Sequence, residues 1–177
     1  MDKSKWTNQQ DKYKGYDIGD HTYGSPIFHR WGSSTIKIGK YCSIANGATF
    51  LVGNSEHHTD WITTYPFPER NHKAPISRGN TVVGNDVWIG LNALILSEIE
   101  ISNGVIVGAG AVITRDIPPY CIVAGNPGKI IRQRFSDKEI EALNNIQWWD
   151  WNESKVRENI YFLLSKDIAT FIEKHCK

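Results

Sequence analysis

Residues 50–67 read FLVGNSEHHTDWITTYPF. Two adjacent histidines, His57 and His58, and a carboxylate three residues beyond the first, Asp60, stand between an apolar run and an aromatic segment punctuated by proline. An imidazole titrates near neutrality, so its neutral form can take a proton from a weak oxygen or nitrogen nucleophile as that atom attacks an electrophile. Asp60 can orient such a ring, and a backbone carbonyl can do the same. A metal is the competing chemistry, but side chains of neighbouring residues do not easily meet on one ion. His21, His29, His72 and His175 have no comparable context and read as surface or packing residues.

The elements that position these groups are bounded by composition. A chain of 177 residues, 40% hydrophobic and 22% charged, suits one soluble domain with a small appendage. A formal charge of +1 gives no argument for a nucleic-acid groove or an anionic-membrane surface. The start, MDKSKWTNQQDKYKG, has no apolar signal region, and no window approaches the roughly 20 apolar residues of a membrane helix, so a cytoplasmic location is expected. Cys42, Cys121 and Cys176 show no CxxC spacing and read as buried small hydrophobes, with neither disulfide framework nor zinc knuckle.

Between residues 81 and 118 the chain repeats in sixes: VGNDVW, IGLNAL, ILSEIE, ISNGVI, VGAGAV, ITRDIP. Val83, Ile89, Ile95, Ile101, Val107 and Ile113 hold one phase, and four residues after each comes Val87, Ala93, Ile99, Val105, Ala111 or Ile117. This fits neither the 3.6 period of a helix nor the 2 of a long strand. A short strand and a turn every six residues, three units closing one triangular coil, fits it, with the lead aliphatic on the axis and coils stacked about 4.8 Å apart. IGKYCS and IANGAT, led by Ile38 and Ile44, carry the phase earlier, and IGDHTY at Ile18 carries it faintly.

The rhythm stops from about residue 53 to 80, an insertion that holds both histidines; so long a loop in a compact repeat marks a site or an interface. After Pro118-Pro119, Ser136 and Glu139 form a capping box, and the spacing predicts helices over 137–147 and 153–174 divided by WWDWN. Their expected task is to cap the open end of the solenoid or to cover a neighbouring subunit.

VGNDVWIG, GAGAVITRDIPPY and IVAGNPGKIIRQRF together resemble the hexapeptide-repeat acyltransferases, and HHTDWITTYPF narrows the resemblance to the xenobiotic acetyltransferases, the branch of streptogramin and chloramphenicol O-acetyltransferases. The similarity runs from about Tyr16 to WWDW. It implies a mainly β protein: a left-handed parallel β-helix over residues 1–135 with the active-site loop inserted, and a helical extension over 136–177. It further implies a homotrimer with acetyl-CoA in the groove between subunits, no metal, and His57 as the residue matching the family's catalytic histidine. The expected reaction is acetyl transfer to a hydroxyl of an antibiotic-like acceptor by direct attack in a ternary complex, since no cysteine lies in the insertion to carry an acyl group.

Acceptor contacts are expected from Tyr23, Asp60, Tyr65 and Trp88, within an aromatic lining that includes Phe28, Trp61 and Phe67. An oxyanion donor is expected from a backbone N–H near Gly90 or Gly108 or from the Trp88 indole. For coenzyme A, Gly90, Gly108, Ala109, Gly110 and Ala124 let the pantetheine arm approach the backbone, while Lys129, Arg132, Arg134 and Arg115 stand as phosphate ligands; a KxxRxR run is also an ordinary solvated face. Three other readings share the fold. One is a sugar or nucleotide-sugar O- or N-acetyltransferase of surface polysaccharide synthesis, and another is a ligand-binding scaffold. The third is a zinc hydrase, which needs coil histidines that residues 83–118 lack.

Overall fold

The computed structural model describes residues 6–53, 61–65, 67 and 79–176. Fourteen short strands build three sheets. Face 1 holds β1 (Asp17–Ile18), β4 (Ile36–Ile38), β7 (Thr81–Val83) and β10 (Glu100–Ile101). Face 2 holds β2 (Tyr23–Gly24), β5 (Ser43–Ile44), β8 (Trp88–Ile89), β11 (Ile106–Val107), β13 (Cys121–Ala124) and β14 (Lys129–Gln133). Face 3 holds β3 (Ile27–Arg30), β6 (Thr49–Val52), β9 (Leu94–Ile95) and β12 (Val112–Ile113). Neighbours pair in parallel except β13 and β14. Because the chain visits faces 1, 2 and 3 in unvarying order from β1 to β12, it winds as a three-sided coil.

Paired lead residues stand eighteen apart where the hexads are regular: Val83 with Ile101, Ile89 with Val107, Ile95 with Ile113. The pairs Ile18–Ile38 and Phe28–Phe50 are spaced more widely, which is why the first coil is faint in the sequence. All six lead residues from Val83 to Ile113 are at most 1% exposed, and the six that follow at the fourth position are buried with them in one continuous core. Cys42 and Cys121 join that core as expected, and burial pushes the Cys42 thiol up to about 12; Cys176, at the end of the last helix, is instead exposed.

The tight corner between faces 1 and 2 needs one left-handed residue per coil. His21, Tyr41, Asp86, Gly104 and Tyr120 supply it with φ of 64°, 59°, 55°, 69° and 54°. Beside them the Lys40 N–H donates to Asn85 Oδ1 and the Asn85 N–H to Asn103 Oδ1, each at 2.8 Å, so successive turns satisfy one another.

The expected helix at 137–147 is α1 (Asp137–Ile146), and the Ser136 N–H donates to the Glu139 carboxylate at 2.8 Å as a capping box requires. The single helix expected at 153–174 is broken into α2 (Glu153–Glu158), α3 (Ile160–Leu163) and α4 (Ile168–His175). Asn159 leaves helical geometry and its side chain donates to the Lys155 carbonyl, while Asp167 accepts from the Thr170 N–H and restarts the chain as α4. These helices lie along the corner between faces 1 and 2, not over an open end. Ile140, Leu143 and Phe171 pack on Tyr120, Trp148 meets Tyr41 at 4.7 Å between ring centroids, and Lys40 pairs with Asp150 at 2.8 Å.

Arg134 joins coil to helices: it donates to the Gly104 carbonyl at 2.6 Å, lies over the Tyr120 and Phe135 rings, and approaches Asp86 at 3.8 Å. Desolvation still outweighs that cation and lifts the Asp86 carboxyl to about 6. A carboxyl that holds its proton more tightly folded than unfolded destabilises the fold as pH rises from about 3.8 to about 6. Asp86→Asn, whose amide tolerates the left-handed turn, is therefore expected to raise the melting temperature at about pH 8, with the gain vanishing near pH 4. Thermal melts across that range check this, and a loss of stability at pH 8 would mean that the Arg134 pairing dominates.

Candidate active site

Face 2 carries an outward row through successive rungs: Tyr23, Ser43, Trp88, Ile106, Ile122 and Arg132 are registered partners in turn. Tyr23 and Trp88 are each 54% exposed, two rungs or about 10 Å apart at the usual strand spacing. Trp88 makes no ring contact or hydrogen bond among the described residues, so its indole N–H is available as a donor.

A second row runs along the corner between faces 2 and 3, where the ladder continues through Ala45, Gly90, Gly108 and Ala124 to Lys129. The sequence-derived cofactor residues Gly90, Gly108, Ala124 and Lys129 thus share one edge, with Ala109 exposed beside them. The N–H groups of the two glycines themselves are committed, which leaves the expected oxyanion donor to the turns near them or to the Trp88 indole. The Gly90 N–H is bound to the Val107 carbonyl and the Gly108 N–H to the Val123 carbonyl, each at 2.8 Å. The two glycines also differ. A Cβ on Gly90 would meet the Ala109 nitrogen at 2.6 Å, so packing of the next coil demands glycine there, whereas a Cβ on Gly108 would come no nearer than 3.1 Å to the Ala124 Cβ and 3.3 Å to the Val123 carbonyl oxygen, a contact that a shift of a few tenths of an ångström relieves.

The insertion leaves and returns at the third corner, between faces 3 and 1. Ser97 Oγ donates to the carbonyls of Leu51, at 3.0 Å, and Gly53 at the departing stem. At the returning stem Asn80 Oδ1 accepts from the Thr35 N–H at 2.8 Å. Neither Ser97 nor Asn80 was singled out from the sequence; Asn80 carried a signal, being a polar side chain at the edge of the interruption, whereas Ser97 lies within the regular hexads and carried none. His57, His58 and Asp60 lie outside the described residues. Tyr65 is exposed and packs edge-on against Phe67 at 4.7 Å between centroids, and Trp61 is partly exposed.

Three expected residues fall elsewhere. Phe28 packs on the core against Phe50, Tyr13 and Tyr16 rather than lining an acceptor pocket, because β3 turns that side inward. Arg115 is exposed at the corner of the insertion stems, across face 3 from Lys129. Arg134 is committed to Gly104 and the aromatic rings, while Lys129 and Arg132 are exposed on β14.

No family model matches the chain. A chloramphenicol acetyltransferase of Escherichia coli is 35% identical over 97% of this chain and 93% of its own length. The chain belongs to the hexapeptide-repeat xenobiotic acetyltransferases. A virginiamycin A acetyltransferase of Staphylococcus aureus is 40% identical over 77% of this chain and 66% of its own. A hexapeptide-repeat acetyltransferase of Vibrio cholerae, solved in complex with acetyl coenzyme A, matches at 28% identity and a TM-score of 0.55 over 70% of this chain and 62% of that one. As a member of this family the protein is an acetyl-CoA-dependent acyltransferase.

For this xenobiotic acetyltransferase the two glycines offer separate tests of packing and of the expected coenzyme contact. Gly90→Ala is expected to lower the unfolding midpoint by the equivalent of about 1–3 kcal/mol through overpacking. Gly108→Ala is expected to melt nearly normally while raising the KM for acetyl-CoA, because the added methyl narrows the approach to the backbone. Urea unfolding and steady-state kinetics on both variants check the pair.

Proposed function

We propose that the enzyme moves an acetyl group from acetyl-CoA to a hydroxyl of a small antibiotic-like acceptor, with His57 as general base, in a cytoplasmic homotrimer of left-handed coils. The similarity to chloramphenicol and virginiamycin A acetyltransferases over most of the chain supports the acceptor class. The neighbouring acetyltransferase of the same repeat type supports the winding of the coil.

The observation that carries the site is the arrangement of corners. The insertion stems stand at the corner opposite face 2, whereas Tyr23 and Trp88 stand on face 2 and the small-residue row on its edge. One copy of the coil thus presents its insertion stems and its small-residue row at different corners, and in the proposed trimer a second copy brings its insertion to the row of the first. Threefold closure repeats that contact three times with none left over.

In such a site His57 takes the acceptor's hydroxyl proton as the oxygen forms its bond to the thioester carbonyl. The tetrahedral adduct then breaks its carbon–sulfur bond, and the departing thiolate takes the proton from the imidazolium. Trp88, whose indole N–H has no partner among the described residues, is the donor in this reading to the acceptor or the developing oxyanion. Tyr65 and Asp60 border the acceptor, Asp60 orienting the base, and Lys129 and Arg132 hold the coenzyme phosphates.

The test is release of coenzyme A thiol with chloramphenicol, virginiamycin A and a set of sugars as acceptors. A drug is expected to drive turnover, His57→Ala to reduce kcat by about 10² or more, and Trp88→Phe to reduce it by about tenfold or more. Turnover with a sugar alone would move the enzyme to carbohydrate acetylation, and survival of activity in His57→Ala would remove the general base. Analytical ultracentrifugation is expected to find a trimer.

A further inference from the structure

Between the corner of faces 1 and 2 and the helices α1–α4 lies a cavity of about 370 Å³, within the size range of small-molecule sites. Its walls are apolar and aromatic, from Phe135, Leu143, Trp148, Phe162 and Phe171, and exposed Leu164, Ser165 and Lys166 form its rim. Its coil side is polar, supplied by Asp86 and Tyr120.

Both polar groups are incomplete. Tyr120 is 2% exposed, and its hydroxyl has no hydrogen-bond partner among the described residues. The Asp86 carboxylate accepts no hydrogen bond among them; its nearest cation, Arg134 Nη1, is 3.8 Å away and directs a 2.6 Å bond to the Gly104 carbonyl. A buried phenol left unpaired, beside a partly exposed carboxylate that lines the same open cavity, marks a place where a ligand completes the bonding. The charges select among ligands. An ammonium would meet Arg134 and Lys166 against the single carboxylate, and an anion would be set beside Asp86. A neutral hydroxyl has one donor and two acceptor positions, which suits a carboxylate that needs a donor next to a phenol that needs a partner.

We propose that this cavity binds a small uncharged aromatic alcohol or phenol, its hydroxyl donating to Asp86 and accepting from Tyr120 while its ring lies among Phe135, Trp148 and Phe162. The site lies within one chain and on a different corner from the small-residue row, and it rests on neither acetyl transfer nor trimer formation.

Calorimetric titration of the full chain, without acetyl-CoA, tests it with 2-naphthol, 2-methylnaphthalene, 2-naphthoate and 2-naphthylmethylammonium. Binding of 2-naphthol is expected to exceed that of the other three. Tyr120→Phe deletes only an unpaired hydroxyl, so it should fold as well as the parent yet bind 2-naphthol about fivefold or more weaker. Leu163→Trp, which fills the cavity, should abolish that binding. The proposal is overturned if 2-methylnaphthalene binds as well as 2-naphthol, if the ammonium or carboxylate binds better, or if a folded Tyr120→Phe or Leu163→Trp binds 2-naphthol unchanged.

Discussion

The structure depends on hydrogen bonding between rungs of strands that are mostly two or three residues long. A strand so short cannot hold itself; it persists only because a rung above and a rung below take its N–H and C=O groups while its one inward side chain is buried on the axis. Register therefore dominates. A slip of one residue would turn Val83, Ile89 and Ile95 outward together and bring polar neighbours onto the axis.

Because the axis is occupied by hydrophobic packing, variation is left to the corners, and each carries a different burden. The corner of faces 1 and 2 takes the helical extension through Tyr120, Arg134 and Trp148. The corner of faces 2 and 3 is kept small by Gly90, Gly108 and Ala124. The remaining corner releases the insertion between stems tied by Ser97 and Asn80. Acyl transfer asks little of a scaffold beyond holding donor and acceptor at a fixed spacing.

The hexads from Val83 to Ile113 could be read directly because one burial rule repeats without a gap, and their inward residues are those the phase names. The first coil was faint because its corners are longer. The break at Asn159 was hidden, since a residue that competes with helix geometry through its side chain looks like any polar residue on a helical pattern. The small-residue row was legible as composition but not as tightness at each position: a Cβ on Gly90 would stand 2.6 Å from the next coil's backbone and one on Gly108 no nearer than 3.3 Å, a distinction that only distances reveal. Phe28 was misread because an aromatic beside other aromatics gives no sign of which side of a strand it takes.

The last strand turns the other way. Every residue of β14 is exposed, and it runs antiparallel to β13, so face 2 ends on a strand whose direction no further parallel rung can copy. Lys129 and Arg132 add two positive charges to that border. A stack of identical rungs is otherwise an open template, and one molecule's final coil would invite the first coil of the next. Reversing a single strand, with two cations beside it, ends the parallel stacking on face 2 and makes that border a poor template for the first coil of another molecule.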